Sequence, residues 1–217
     1  MTGEEFNERV TFFDHMAQTE WLGSIHQQLK DIAGSWQGKH ILDVGCGTGR
    51  LLLKGKNEAN KLSGIDLSVG MIKFARSLFE TSTGKADSQF LVGDAYHLPF
   101  PERSFDYSFA TLVIFLLPEP ETALKELKRV TLPEGATVML NPGPDMNEER
   151  ARAYAEKHGM EGFEKESLLT WANVSTRRHR WQEEDFSEIL SSLGARHTQH
   201  TPVLDGLGLI TRVEWKA

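Results

Sequence analysis

The stretch Ile41-Leu42-Asp43-Val44-Gly45-Cys46-Gly47-Thr48-Gly49-Arg50-Leu51-Leu52-Leu53 decides the fold of this chain. The apolar run from His40 to Val44 predicts a short buried strand, the alternating glycines predict a tight turn, and Arg50-Leu51-Leu52-Leu53 opens a helix. Glycines at 45, 47 and 49 let the backbone approach a ligand closely, and the helix that follows offers its positive end to an anionic group such as a carboxylate. A dinucleotide fingerprint needs its third glycine at position 50, where this sequence has arginine.

The strand-then-helix unit repeats on the C-terminal side. Lys61 to Ile65 reads as a second strand ending at Asp66, and Ser68 is placed to cap a helix carrying Met71, Ile72, Ala75, Leu78 and Phe79. Gln89 to Val92 gives a third strand with Gly93-Asp94 at its exit, and Phe105 to Thr111 gives a fourth. Pro118-Glu119-Pro120 precedes a helix with Ala123, Leu124, Leu127 and Val130 inward, and Pro133-Glu134-Gly135 then turns into a strand from Ala136 to Leu140. Alternation of this kind predicts an α/β fold with a mostly parallel sheet, helices on both faces and right-handed crossovers.

Outside these units the pattern changes. Leu22, Ile25, Leu29 and Ile32 mark an amphipathic helix ending near Gly34, so residues 1–39 are expected to form a helical cap ahead of a domain over 40–217. Beyond Asn141-Pro142-Gly143-Pro144 a polar helical insertion is expected over about 145–180. A helix from Gln182 then carries Phe186, Ile189, Leu190 and Leu193, and strands Arg196 to Val203 and Leu207 to Trp215, joined at Asp205-Gly206, close the sheet as a hairpin.

Two acids complete a site with the glycine loop. Asp66, at the exit of the second strand, is placed to accept hydrogen bonds from both hydroxyls of a ribose. Such charge-assisted bonds contribute roughly 1.5–3 kcal/mol each. Asp94, at the exit of the third, is placed to accept from an adenine amino group. Ligands of open parallel sheets bind outside the carboxyl ends of the strands, where Gly45, Asp66 and Asp94 all fall.

Ile41 to Arg50, then Gly64-Ile65-Asp66-Leu67-Ser68 with Met71, then Gly93-Asp94-Ala95-Tyr96-His97-Leu98-Pro99-Phe100 with Phe105-Asp106, resemble the class I S-adenosylmethionine (SAM) dependent methyltransferases. The branch resembled is that of the ubiquinone and menaquinone biosynthesis enzymes, and the likeness spans about residues 40 to 141. It implies a Rossmann-like, seven-stranded, mostly parallel sheet whose antiparallel last strand is inserted between the fifth and sixth. It implies SAM as cofactor, with S-adenosylhomocysteine as product. Asp43, Gly45, Cys46, Gly47 and Gly49 would then surround the methionine moiety, Asp66, Leu67 and Met71 the ribose and adenine, and Asp94 and Ala95 the adenine edge. Thr111, where the fourth strand exits, joins that set. The sequence departs from the family at Phe115, near where many relatives place histidine, so no catalytic residue is assigned. Phe13-Asp14-His15-Met16-Ala17 resembles the aromatic-Asp-x-x-Ala motif that often precedes the domain. Its aromatics, with Phe12 and Trp21, either form a lid or pack the first helix on the sheet.

Composition narrows the partners. A formal charge of −7 disfavours gripping nucleic acid through its phosphates, which needs a basic surface, so a small-molecule acceptor is expected. RNA or protein methylation and non-catalytic SAM binding are the alternatives. The hydrophobic share of 39% and charged share of 25% exclude a fibrous or disordered chain. A lone cysteine, Cys46, an acidic N-terminus and no apolar run of about 18 residues point to the cytoplasm, without a membrane span. No metal is expected, because His197 and His200 fall on opposite faces of a strand. Arg177-Arg178-His179-Arg180-Trp181 is the one basic cluster, either a solvated face or a receiver of anionic groups. His15, His97 and His179 are candidate bases for an oxygen or nitrogen acceptor. The sequence leaves the oligomeric state open.

Overall fold

His40–Val44 forms β1 and pairs in parallel on both sides, with β2 (Lys61–Asp66) and with β4 (Phe105–Thr111). The structure is a computed structural model that describes residues 3–216. Residues 1, 2 and 217, the outermost positions of the expected cap and domain, lie outside the described residues. β3 (Asp87–Val92) extends the sheet beyond β2, and β5 (Thr131–Pro142) extends it beyond β4, both in parallel. The last two strands, β6 (Ala195–Val203) and β7 (Gly208–Trp215), form an antiparallel hairpin, and β7 inserts between β5 and β6 to give the order 3-2-1-4-5-7-6. This is the class I methyltransferase topology implied by the resemblance.

Two apolar layers enclose the sheet. On one side Ile41, Phe109 and Leu140 pack against α3 (Glu20–Ala33), α4 (Arg50–Leu53) and α5 (Val69–Thr81). On the other, Leu42, Val44 and Met139 meet α6 (Pro120–Val130) and α9 (Glu183–Ser192) through Leu124, Leu127, Phe186 and Leu190. Alternation along each strand sends successive side chains to opposite layers, which is why both faces of β1 are apolar. On this second face Ser108 bonds Thr131 (2.7 Å) and Thr137 (2.8 Å), and the Trp215 indole donates to Thr137 Oγ1 (2.8 Å). That buried chain of hydroxyls ties β4, β5 and β7 together.

Two expectations need correction. The turn expected at Pro133-Glu134-Gly135 lies inside β5 as a bulge, because Phe105 pairs with Thr131 and Tyr107 next pairs with Ala136. Gly135 fits there because a Cβ would meet the Asp106 carbonyl oxygen at 2.1 Å. The helix after the glycine loop is a single turn, Arg50–Leu53, so few aligned peptides stand behind its positive end. Within the expected helical segment upstream of α3 stand α1 (Gly3–Asn7) and α2 (Val10–Met16).

The expected insertion consists of α7 (Glu148–Lys157) and α8 (Gly162–Ser175). It packs on the N-terminal helices. Trp21 of α3 stacks on Trp171 of α8 with ring centroids 5.6 Å apart and planes within 2°, and its indole donates to Ser167 Oγ at 3.1 Å. Phe12 meets Phe163 edge-on at 5.4 Å. Thus Phe12 and Trp21 join the N-terminal segment to the insertion.

Candidate functional site

The site forms where β1, β2, β3 and β4 end. Gly45, Gly47 and Gly49 all have positive φ (70°, 51° and 82°), a backbone region unfavourable to residues with a Cβ. At Gly45 a Cβ would also meet Val113 Cγ2 at 2.2 Å, so the loop leaving β4 lies directly against the glycine turn. The turn is held to β2 because Gly45 and Cys46 both donate their N–H to the Ile65 carbonyl (2.7 and 3.0 Å).

Asp66 organises the centre. Its Oδ2 accepts the Gly47 N–H and its Oδ1 the Ser68 N–H, both at 2.9 Å. Each carboxylate oxygen keeps a further lone pair, so the sequence-assigned role toward hydroxyls is compatible with these bonds. Burial raises the Asp66 carboxyl from its ordinary range, opposed by the N–H groups of Ser68 and Gly47.

Beside it, Asp43 is 2% exposed and its Oδ1 is buried without a hydrogen-bond partner. Burial, and then the nearby Asp66 charge, pushes its carboxyl up to about 8. Thr111 Oγ1 is a second buried oxygen without a partner. Asp43 pairs with Phe109, and Thr111 lies two residues beyond Phe109, so both orphans stand on the same face of neighbouring strands. Unpaired buried polar atoms each cost roughly 1–3 kcal/mol, which makes this pair a ready partner for a cationic or donor group. The next residue, Leu112, holds φ 60°, a strained value for leucine, at the mouth of the same site.

The remaining sequence-assigned residues divide. Asp94 is exposed at the exit of β3 with Oδ1 accepting the Tyr96 N–H (3.0 Å), and Ala95 follows it half-buried. Leu67 and Val92 stand at the exits of β2 and β3 and are each 48% exposed, an apolar shelf that sequence patterning registered only at Leu67. Met71 and Cys46 are buried (2% and 7%), and the Cys46 side chain reaches back from the turn toward Gly64 of β2. The Cys46 thiol is pushed far up by burial and by Asp43 and Asp66, which leaves it a packing group.

Arg50, read in the sequence as a missing glycine and a helix start, forks onto Asp14. Arg50 Nε and Nη2 meet Asp14 Oδ1 and Oδ2 at 2.9 Å each, and Gln18 also donates to Asp14 (2.7 Å). The complementary charges of Asp14 and Arg50 were the only sequence signal of that link. Farther along, Asn7 of α1 accepts from Ser68 Oγ (2.6 Å) and from the Gly70 N–H (2.8 Å). The N-terminal helices are thereby fastened at both the glycine turn and the start of α5.

His15 is exposed against the Phe163 edge, and His97 and His179 are exposed as well. His200 is engaged by Ser187 and Thr211. Among the described residues no three His, Cys, Asp or Glu side chains gather as metal ligands, and no helix is long and apolar enough to cross a membrane. Two surface clefts lie away from the strand exits. One is lined by Arg103, Lys125, Arg129 and Trp215 at the opposite end of the sheet, the other by Lys165, Leu169 and Asn173 along α8.

Residues 42–139 match the family described as methyltransferase domain. The chain is 36% identical over 107 residues to demethylmenaquinone methyltransferase of Geobacillus stearothermophilus, covering 48% of this chain and 45% of that protein. It is 32% identical over 111 residues to malonyl-[acyl-carrier protein] O-methyltransferase of Serratia marcescens, covering 51% and 41%. The chain therefore spans about half the length of the curated relatives it matches. A SAM-dependent methyltransferase of Aquifex aeolicus superposes with a TM-score of 0.68 at 19% identity, covering 95% of this chain and 97% of that one, a likeness of fold.

Proposed function

We infer that this chain, whose residues 42–139 match the methyltransferase domain family, uses SAM to methylate a small-molecule acceptor held between the strand exits and the helical cap. The observation that carries this reading is the placing of two orphan oxygens, on Asp43 and Thr111, beside a glycine turn whose neighbour is Asp66. The two orphans suit the ammonium end of a methionine moiety, Asp66 suits ribose hydroxyls, and Leu67 with Val92 suits the flat face of adenine. Asp94 and Ala95 border the adenine edge. Bound there, SAM supplies a methyl group on a sulfonium, an already activated leaving group.

The chain's own contribution is then alignment and exclusion of water, which for such a displacement account for much of the rate. Val113 and the strained Leu112 set the wall between cofactor and acceptor. Residues 1–39 and about 145–180, joined through Trp21 and Trp171, form the cover. The net charge of −7 and the small-molecule or carrier-bound substrates named for the relatives support a small acceptor over RNA. The lone buried Cys46 suits a reducing compartment, and we place the protein in the cytoplasm.

The test is to incubate the protein with methyl-labelled SAM and with the small-molecule, polynucleotide and protein fractions of a cell extract. Label entering the small-molecule fraction is the expected result. Label confined to RNA or protein replaces the acceptor class, and no transfer despite SAM binding makes the chain a binding protein.

A further inference from the structure

The segment between α8 and α9 carries Arg177, Arg178, His179 and Arg180, all exposed. It does not hang free. The His179 N–H donates to the Phe115 carbonyl (3.2 Å), in the 3-10 turn that follows β4, and Arg180 Nη1 donates to the Met146 carbonyl (2.7 Å), in the loop that follows β5. The segment is thus laced across the exits of β4 and β5, on the far side of Thr111 from the cofactor residues of β1, β2 and β3.

Aromatic packing fixes it there. The His179 ring stacks on Trp181 (5.3 Å, 3°), Trp181 stacks on Phe186 of α9 (4.7 Å, 17°), and Trp181 packs against both apolar layers. The charge is uncompensated. Among the described residues none of these three arginines stands in an ion pair, whereas Arg150 and Arg152 of α7 pair with Asp145 and Glu148. Three guanidinium groups outside any ion pair, on a braced segment of an acidic protein, can each offer a planar fork of donors to carboxylate or phosphate oxygens.

We propose that Arg177, Arg178 and Arg180 bind an anionic group, carboxylate or phosphate, on the methyl acceptor, whose apolar body lies on Leu112, Val113 and Leu116. This rests on the proposed function, with the acceptor held between the strand exits and the helical cap. The acceptor is then an amphiphilic small molecule with its reactive atom at one end and its anion at the rim. The basic cluster is an acceptor subsite.

The test uses the full chain and three titrations by calorimetry, with S-adenosylhomocysteine, inorganic pyrophosphate and citrate, on wild type, the double variant R177Q/R178Q, and R152Q as a control for general surface charge. The expected result is anion binding to wild type that weakens at least tenfold in R177Q/R178Q and is kept in R152Q, with S-adenosylhomocysteine affinity equal in all three. Preference for pyrophosphate assigns a phosphate, and preference for citrate a carboxylate. Absence of anion binding to wild type, equal binding in the double variant, or an equal loss in R152Q overturns the proposal. Failure of S-adenosylhomocysteine to bind any of the three overturns the proposed function instead, and is read separately.

Discussion

The Arg50 guanidinium meets the Asp14 carboxylate through two parallel hydrogen bonds of 2.9 Å, with Asp14 at 5% exposure. Arg50 begins the turn of helix directly after Gly49, and Asp14 lies in α2, so one fork joins the cofactor turn to the N-terminal cap. A bidentate pair of this kind transmits position as well as energy. Arg50→Ala leaves the buried Asp14 carboxylate with only the Gln18 amide as a side-chain donor and is expected to destabilise by about 1.5–3 kcal/mol. Arg50→Lys recovers little of that loss, because an ammonium has no fork. Thermal unfolding of Asp14→Asn, Arg50→Ala and the double variant checks the pair, with strong non-additivity expected.

The stacked indoles of Trp21 and Trp171 are the second attachment of the cap. Trp171→Ala removes a side chain 3% exposed and is expected to cost about 3–5 kcal/mol. The loss is local first. Hydrogen exchange should rise over α7 and α8 before it rises in β1 or β4, since the cap has its own contacts and the sheet keeps its layers.

How much of this was legible in the sequence depends on what each feature rests on. β1 and β4 follow from apolar runs closed by glycine or by a change of pattern, and their observed bounds, His40–Val44 and Phe105–Thr111, are the ones the pattern gives. The positions of the glycine turn, Asp66 and Asp94 were readable because strand exits are marked by local pattern. The bulge at Leu132 to Gly135 was not, since proline and glycine signal both turns and bulges, and only pairing with β4 distinguishes them. The role of Arg50 depends on Asp14, thirty-six residues away. The orphan state of Asp43 and Thr111 is a property of packing that no local pattern encodes.

Asp43 gives the chain an alkaline weakness. Its carboxyl remains protonated in the folded protein up to about 8, from an ordinary value of 3.8. The folded state therefore holds a proton that the unfolded state has released, and stability declines as pH climbs through that window, levelling above it. Asp43→Asn removes the decline. Its melting temperature should equal that of wild type near pH 4 and exceed it above about pH 8, by about 2–4 °C per kcal/mol of relief, while affinity for S-adenosylhomocysteine falls. Differential scanning calorimetry across pH gives the first quantity and titration calorimetry the second.

His26 gives the opposite slope. Buried in α3, its imidazole is held down to about 3 from 6.5, chiefly by burial and then by Lys54. The unfolded chain takes up a proton below 6.5 that the folded chain refuses, so stability is full above that value and is lost as pH falls toward 3, by up to about 1.4 kcal/mol per unit. In urea unfolding at a series of pH values, His26→Leu should flatten this acid limb. An unchanged limb would assign it to carboxylates elsewhere.

The central claim is that the turn from Asp43 to Gly49, with Asp66, holds SAM. The most direct measurement is calorimetric titration of S-adenosylhomocysteine into wild type and Asp66→Ala, with NAD as the competing dinucleotide. Saturable binding of S-adenosylhomocysteine to wild type, weakened at least about tenfold in Asp66→Ala and absent for NAD, is the expected result, tenfold being about 1.4 kcal/mol. Equal affinity in the variant would remove Asp66 from the site, and NAD binding in place of S-adenosylhomocysteine would contradict the claim outright.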